Sequence, residues 1–158
     1  MKTQVLHRIL FKIFSLVLLL LSLTPLSVLA TTVRMQTSLG DIDIQLMDAT
    51  APATVANFLN YVTSGAYDNS FIHRSVPGFI IQGGGYRWDS ASDSVASIPA
   101  NAPVINEFNA SRSNLRGTIA MAKLGGDPNS ATSQWFFNLA DNSANLTIRT
   151  ADSRCSVR

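Results

Sequence analysis

Arg74 and His73 sit side by side in an apolar stretch, "FIHRSV" (residues 71–76), and no acidic residue occurs between Asp68 and Asp89. A cation so placed needs either water or a partner that is remote in the chain. His73 with a serine or cysteine nucleophile and an orienting carboxylate would make an acyl-transfer site, but the chain has no G-x-S-x-G elbow or comparable turn. Metal chemistry lacks ligands, because His73 is the only histidine beyond residue 30 and Cys155 is the only cysteine. The glycines at 83–85 could be taken for a phosphate cradle, yet no Lys-Ser/Thr pair follows, so they read as a strand end that needs glycine. Asp41 and Asp43 alternate along a strand and are expected to face water. Neither a metal nor a cofactor is expected.

What remains is a set without a nucleophile: Arg74, Phe79, Gln82, Trp135 and Phe136, with Met121 and Ala122 on a separate strand. Under strict alternation Arg74 and Val76 share a face, Phe79 and Ile81 share one, and Ile80 and Gln82 take the other. A bulge or twist at Pro77-Gly78 would then be needed to gather Arg74, Phe79 and Gln82. The plainer alternative is that the aromatics are core and Arg74 caps a strand at the surface. Periodicity alone leaves both open.

The elements that must position these residues are legible in outline. Val33 and Met35, then Ile42, Ile44 and Leu46, recur at period two around a turn at residues 38–41, which predicts an antiparallel hairpin. The period then changes. Thr50 is a candidate N-cap, Pro52 suits the first turn, Val55, Phe58, Leu59 and Val62 fall on one helical face, and Gly65 is a stop, so a helix of about 12 residues is expected. Residues 71–76 and 79–82 read as short strands hinged at Pro77-Gly78. The next twenty residues, rich in Ser, Ala, Asp and Pro, are expected to form a long surface loop around Trp88. Residues 118–122 and 134–139 give two more strands, separated by a polar loop over 124–132. Six strands against one helix point to a mainly β fold, an antiparallel barrel or sandwich with a helix plugging one end.

The two ends are read differently. Lys2, Arg8 and Lys12 precede an uncharged, Leu-rich run that closes at Val28-Leu29-Ala30, the layout of a secretory signal over residues 1–30. The rival is a retained membrane anchor over residues 13–30, against which Pro25 and the V-x-A ending speak. Without this leader nine Lys and Arg face ten Asp and Glu, a formal charge of −1, so the basic character of the chain lies in the leader and no nucleic-acid partner is expected. About 128 residues remain, enough for one domain. A lone cysteine can form no internal disulfide. The last twelve residues, "TIRTADSRCSVR", carry three Arg and that cysteine without sustained alternation, and read as a flexible tail.

Three segments then resemble, in order and spacing, the signatures of the cyclophilin family of peptidyl-prolyl cis-trans isomerases: "FIHRSVPGFIIQGGGY" (71–86), "RGTIAMAK" (116–123) and "SATSQWFF" (130–137). The helix beginning "APATVANF" (51–58) also fits, and with the leader the chain looks most like the exported bacterial branch. The resemblance implies a cyclophilin-like antiparallel β-barrel with a capping helix and rotation about Xaa-Pro bonds as the activity. It implies catalytic roles for Arg74, Phe79 and Gln82. Phe79, Ile80, Phe136 and Leu146 would line a proline pocket, with Ile80 where the family most often has Met. Gln82 and Gln134 would hold substrate and orient the arginine, Met121, Ala122 and Lys123 would contribute to substrate binding, Lys123 through its backbone, and His73 would support the site. Partners would be proline-containing peptides and unfolded or newly exported proteins, handled in the periplasm by a monomer with no stable membrane role beyond the leader.

Beyond Leu146 the resemblance stops. A Gly-containing loop, a Val-Phe-Gly strand, further strands and a second helix would be expected there, and residues 147–158 match none of them, as a frameshift or early stop would produce. The domain expected is therefore a partial one over residues 31–146. A family barrel closes with about eight strands, of which this chain supplies about six, so open edges are expected. The loss would outweigh the ~5–15 kcal/mol by which domains are stable, which predicts an unstable or inactive chain. Rival readings are a non-catalytic proline-peptide binder or holdase, and a fragment without function.

Overall fold

The period-two run at the start of the domain becomes a hairpin, β1 (Thr32–Thr37) and β2 (Gly40–Gln45), in the computed structural model, which describes residues 30–148 and 156–157. Val33 pairs with Ile44 and Met35 with Ile42, so the apolar residues share one face and Ile44 is buried. On the other face Arg34 donates two hydrogen bonds to the Asp43 carboxylate, at 2.8 and 2.9 Å. That bond holds the Asp43 carboxyl below the usual range. Both Asp41 and Asp43 are exposed, as alternation requires.

Helix α1 (Pro52–Thr63) has the expected length of 12 residues and buries Val55 and Phe58, with Leu59 and Val62 packed against the same core. Its N-terminus departs from expectation. Thr50 is not the cap, and no local side chain serves. Instead the Glu107 carboxylate accepts the N–H groups of Ala53 and Thr54 at 3.1 and 2.8 Å, putting an anion where the first turn has unpaired donors. The helix also buries Thr54, Asn57 and Tyr61, because its polar flank anchors loops: Asn57 Nδ2 donates to the Thr132 carbonyl, and Tyr61 Oη accepts from the Asn101 N–H. Gly65, at φ +69°, ends it, with Gly65 N–H bonded to the Val62 carbonyl and Ala66 N–H to that of Tyr61.

The larger sheet is antiparallel and holds β3 (Arg74–Val76), β4 (Ile80–Gly83), β7 (Ile119–Met121), β8 (Trp135–Asn138) and β9 (Ser156–Val157), in the order β3-β4-β8-β7-β9. All six strands read from the sequence are present. The expected loop around Trp88 is not. Its place is taken by a third sheet, the hairpin β5 (Tyr86–Asp89) and β6 (Ser94–Ser97). Burial does not drive this hairpin, since Tyr86, Trp88 and Val95 remain exposed, and so little apolar pattern marked it. Turn chemistry does: the Asp89 carboxylate accepts from the Ala91 N–H at 3.0 Å and the Ser92 hydroxyl at 2.8 Å, and Asp93 adopts φ +50°. A second, six-residue helix, α2 (Ser143–Ile148), was also unforeseen.

The core lies on both faces of the larger sheet. Ile119, Met121 and Trp135 face α1 and the first hairpin, forming one cluster with Ile44, Leu46, Val55 and Phe58. Ile80, Ala120 and Phe136 form a second cluster, against which Phe79, Ala122 and Leu146 pack. The fold is thus mainly β and antiparallel with one long helix, as the sequence predicts. The leader expectation falls on residues 1–29, and most of the tail on 149–155 and 158, which lie outside the described residues.

Candidate functional site

The site is built on the turn between β3 and β4. Val76 pairs with Ile80, leaving Pro77, Gly78 and Phe79 as a three-residue connection, with Gly78 at φ +70°. This connection sets Arg74 directly opposite Gln82. Gln82 in turn pairs with Phe136, and Phe136 with Ala120. Residues paired across antiparallel strands share a face, so Arg74, Gln82, Phe136 and Ala120 form one row across four strands. The expected bulge is unnecessary. Phe79 belongs to the turn and is released from alternation, which frees its side chain to join Ile80 and Phe136 in the second cluster.

Two amides hold the cation. Arg74 Nη1 donates to Gln82 Oε1 at 3.4 Å, and Gln82 Nε2 donates to Gln134 Oε1 at 2.8 Å. Among the described residues Arg74 makes no ion pair, and its side chain is exposed. Beside it lies the apolar patch: Ile80 and Phe136 are buried, while Phe79, Ala122 and Leu146 are half-buried. The strand ladder carries on past β7, where the Ala122 N–H donates to the Gln134 carbonyl at 2.8 Å.

The glycine run does more than end a strand. A Cβ on Gly83 would stand 2.7 Å from the Trp135 indole, and one on Gly84 only 2.6 Å from the Ser133 carbonyl oxygen. At Gly85 a Cβ would lie 3.0 Å from His73 Cε1 and 3.1 Å from Gln134 Cδ. Bare backbone here lets His73 and Gln134 flank Gly85. His73 also sets its ring edge-on to Tyr86, with centroids 5.1 Å apart, and its backbone N–H donates to the Gln82 carbonyl. Among the described residues its buried Nδ1 has no hydrogen-bond partner.

The structure therefore gathers Arg74, Phe79, Ile80, Gln82, Ala122, Gln134, Phe136 and Leu146, with His73 at the margin. It separates two others. Met121 and Trp135, each 3% exposed, face the opposite side of the sheet in the main core, because they alternate with Ala120 and Phe136. The Lys123 ammonium donates to Asn106 Oδ1 at 3.3 Å, toward a loop beside the site. Sequence reasoning passed over Ala120, the end of the row, and a buried polar group of Asn114, Thr118, Asn138 and Asn142 beside the patch. Asparagines inside strand and loop patterns were its only signal.

A large groove of about 1020 Å³ opens elsewhere, between the tip of the first hairpin and the opposite face of the sheet, and is lined by residues such as Leu39, Phe71 and Phe137. Its lining cation, Arg34, is already committed to Asp43, so it offers no counterpart to Arg74. Among the described residues no cluster of His, Cys, Asp or Glu could hold a metal ion. The chemistry available at the Arg74 row is electrostatic and apolar. It can hold a small ring on Phe79, Ile80 and Phe136 while a fixed guanidinium favours whatever electron pair develops beside it.

Residues 32–152 match the family model described as cyclophilin type peptidyl-prolyl cis-trans isomerase/CLD. Peptidyl-prolyl cis-trans isomerase A of Dickeya dadantii is 43% identical over 136 residues, covering 83% of this chain and 68% of that protein. Peptidyl-prolyl cis-trans isomerase B of Escherichia coli is 43% identical over 110 residues, covering 70% of this chain and 63% of that one. A relative from Acinetobacter baylyi is spanned over 56% of its length, so the chain accounts for between about half and two thirds of the relatives it matches. Among solved structures, a cyclophilin type isomerase of Cryptosporidium parvum, determined in the presence of the dipeptide Ala-Pro, superposes with a TM-score of 0.61 at 26% identity, covering 80% of this chain and 76% of that one. A cyclophilin of Hirschia baltica, at 20% identity and a TM-score of 0.62 over 81% of this chain and 62% of that one, shares the fold.

Proposed function

The chain belongs to the cyclophilin-type peptidyl-prolyl cis-trans isomerase family, and from that premise we propose that it catalyses rotation about Xaa-Pro bonds in proline-containing peptides. The barrier to that rotation is amide resonance, about 18–20 kcal/mol, and lowering it calls for no covalent step. The protein must bind the twisted amide better than the planar one. Twisting breaks the conjugation, and the prolyl nitrogen becomes pyramidal and gains a lone pair. The Arg74 guanidinium stabilises that pair, and each ~1.4 kcal/mol so gained is tenfold in rate.

The observation that carries the reading is the cross-strand row, which sets Arg74 and Gln82 against the Phe79, Ile80 and Phe136 patch. Gln82, itself bonded to Gln134, orients the guanidinium. Phe79, Ile80, Phe136 and Leu146 grip the prolyl ring, while Ala122, Lys123 and Gln134 lie along the peptide, with His73 alongside. Met121, between Ala120 and Ala122 in sequence, turns to the opposite face and anchors this part of the chain in the main core. The presence of Ala-Pro with the Cryptosporidium parvum relative agrees with this choice of ligand.

The test is the rate of cis-trans exchange in a short Xaa-Pro peptide. Contrary to the expectation of an unstable or inactive chain, the chain should accelerate exchange, and Arg74→Ala should reduce kcat/KM by roughly 100-fold or more, the range for loss of one transition-state donor. Peptide binding with no acceleration would overturn the catalytic reading and leave a proline-peptide binder.

A further inference from the structure

Beside the apolar patch, with Asn138 paired to Ile80, lies a polar group that the proposed chemistry does not use. Asn114, Asn138 and Asn142 are 0, 1 and 2% exposed. Buried amides are costly unless bonded, and these bond to one another, with only Asn114 Nδ2 left without a partner among the described residues of the group. Asn138 Nδ2 donates to Thr118 Oγ1 at 3.0 Å and to Asn114 Oδ1 at 3.2 Å. Asn142 Nδ2 donates to Asn138 Oδ1 at 2.9 Å and to the backbone carbonyl of Phe79 at 2.8 Å, so both of its hydrogens are committed. The Asn142 backbone N–H donates to the Asn114 carbonyl at 2.8 Å, and the Asn142 carbonyl accepts the N–H of Leu146 at 2.9 Å.

One residue thus reaches two walls of the patch that come from distant parts of the chain. Phe79 stands in a turn, outside the ladder that fixes its neighbours, and its carbonyl accepts only from the Leu139 N–H at 2.9 Å and from Asn142 among the described residues. Leu146 sits on α2, which begins immediately after Asn142. We propose that Asn142 is a positioning residue: its side-chain amide holds Phe79, and its carbonyl holds Leu146, at the separation that a prolyl ring requires. Asn142 does not touch the substrate. It acts by anchoring both walls to the rigid Asn138–Asn114 pair. The proposal rests on the reading of Phe79 and Leu146 as walls of a proline pocket.

Asn114 supplies the control, being equally buried in the same group, its side chain accepting from Asn138 and hydrogen-bonded to neither wall among the described residues. Asn142→Ala and Asn114→Ala are compared in the full chain by thermal melting, by NMR of the Phe79 ring and Leu146 methyls without ligand, and by kinetics on an Ala-Pro peptide. Both variants are expected to melt lower. Only Asn142→Ala, which removes the donor to the Phe79 carbonyl while the backbone bond to Leu146 stays, is expected to shift the Phe79 signals, and to raise KM about tenfold with kcat changed by about twofold or less, the pattern of lost uniform binding. Should Asn142→Ala fail to fold, Asn142→Ser, which removes the Nδ2 donor to Phe79 but keeps a small polar group among the buried amides, takes its place. Unshifted Phe79 signals, or the same KM change in Asn114→Ala, would overturn the proposal. If the unaltered chain neither accelerates exchange nor binds the peptide, the isomerase reading fails, and the ligand-free spectra still decide whether Asn142 holds Phe79.

Discussion

At position 74 the side chain does its proposed work through shape as well as charge. Gln82 Oε1 accepts from one arm of the guanidinium, which leaves the remaining donors of a planar fork aimed by that bond. A lysine would keep the charge but replace the fork with a rotating point donor. Arg74→Lys is therefore expected to fold normally, because the residue is exposed, and still to lose on the order of 10-fold or more in kcat/KM in the same peptide assay. Activity equal to that of the unaltered chain would mean that charge alone suffices. The residue types in this row were legible in the sequence. Their mutual facing was not, because it depends on an odd-numbered connection: a turn longer or shorter by one residue would set Arg74 against an alternate face.

Among the elements, the hairpin of β5 and β6 is held by its turn more than by burial. The Asp89 carboxyl lies below its ordinary value of 3.8, first through the Ser92 hydroxyl bond and then through the Ala91 N–H. A carboxyl whose folded pKa is depressed contributes stability that is fully present above the unfolded value and is lost as pH falls through the folded one. Amide protection across Tyr86–Asp89 and Ser94–Ser97 is accordingly expected to weaken in acid, below about pH 4. In Asp89→Ala protection should be low and flat with pH, and hydrogen exchange followed over pH 3–7 checks both. The helix makes the same point about range. Its period and its Gly65 stop were readable because they are local, whereas its cap came from Glu107, 53 and 54 residues beyond the N–H groups it accepts.

In the whole molecule one sheet serves two cores, the main cluster on the helix side and the patch on the other. Ile119, next to Ala120 on β7, is buried to 1% on the helix side of the sheet. Ile119→Ala is expected to cost about 2–5 kcal/mol of unfolding free energy in denaturant titrations. Peptide binding should disappear in the same transition as the far-ultraviolet signal, because the two clusters share their strands; separate transitions would show that the faces fold apart. The six strands, the long helix, the cation and the aromatics were legible from the residues alone, since each rests on contacts within a few residues and on periods of 2 and 3.6. That Met121 and Trp135 belong to the core and not to the site, that Glu107 caps the helix, and that Asn142 reaches Phe79 emerged only with the folded chain. Those outcomes depend on which strands pair and in what register, and the β4–β8 pairing joins residues more than fifty positions apart, beyond the reach of any local pattern.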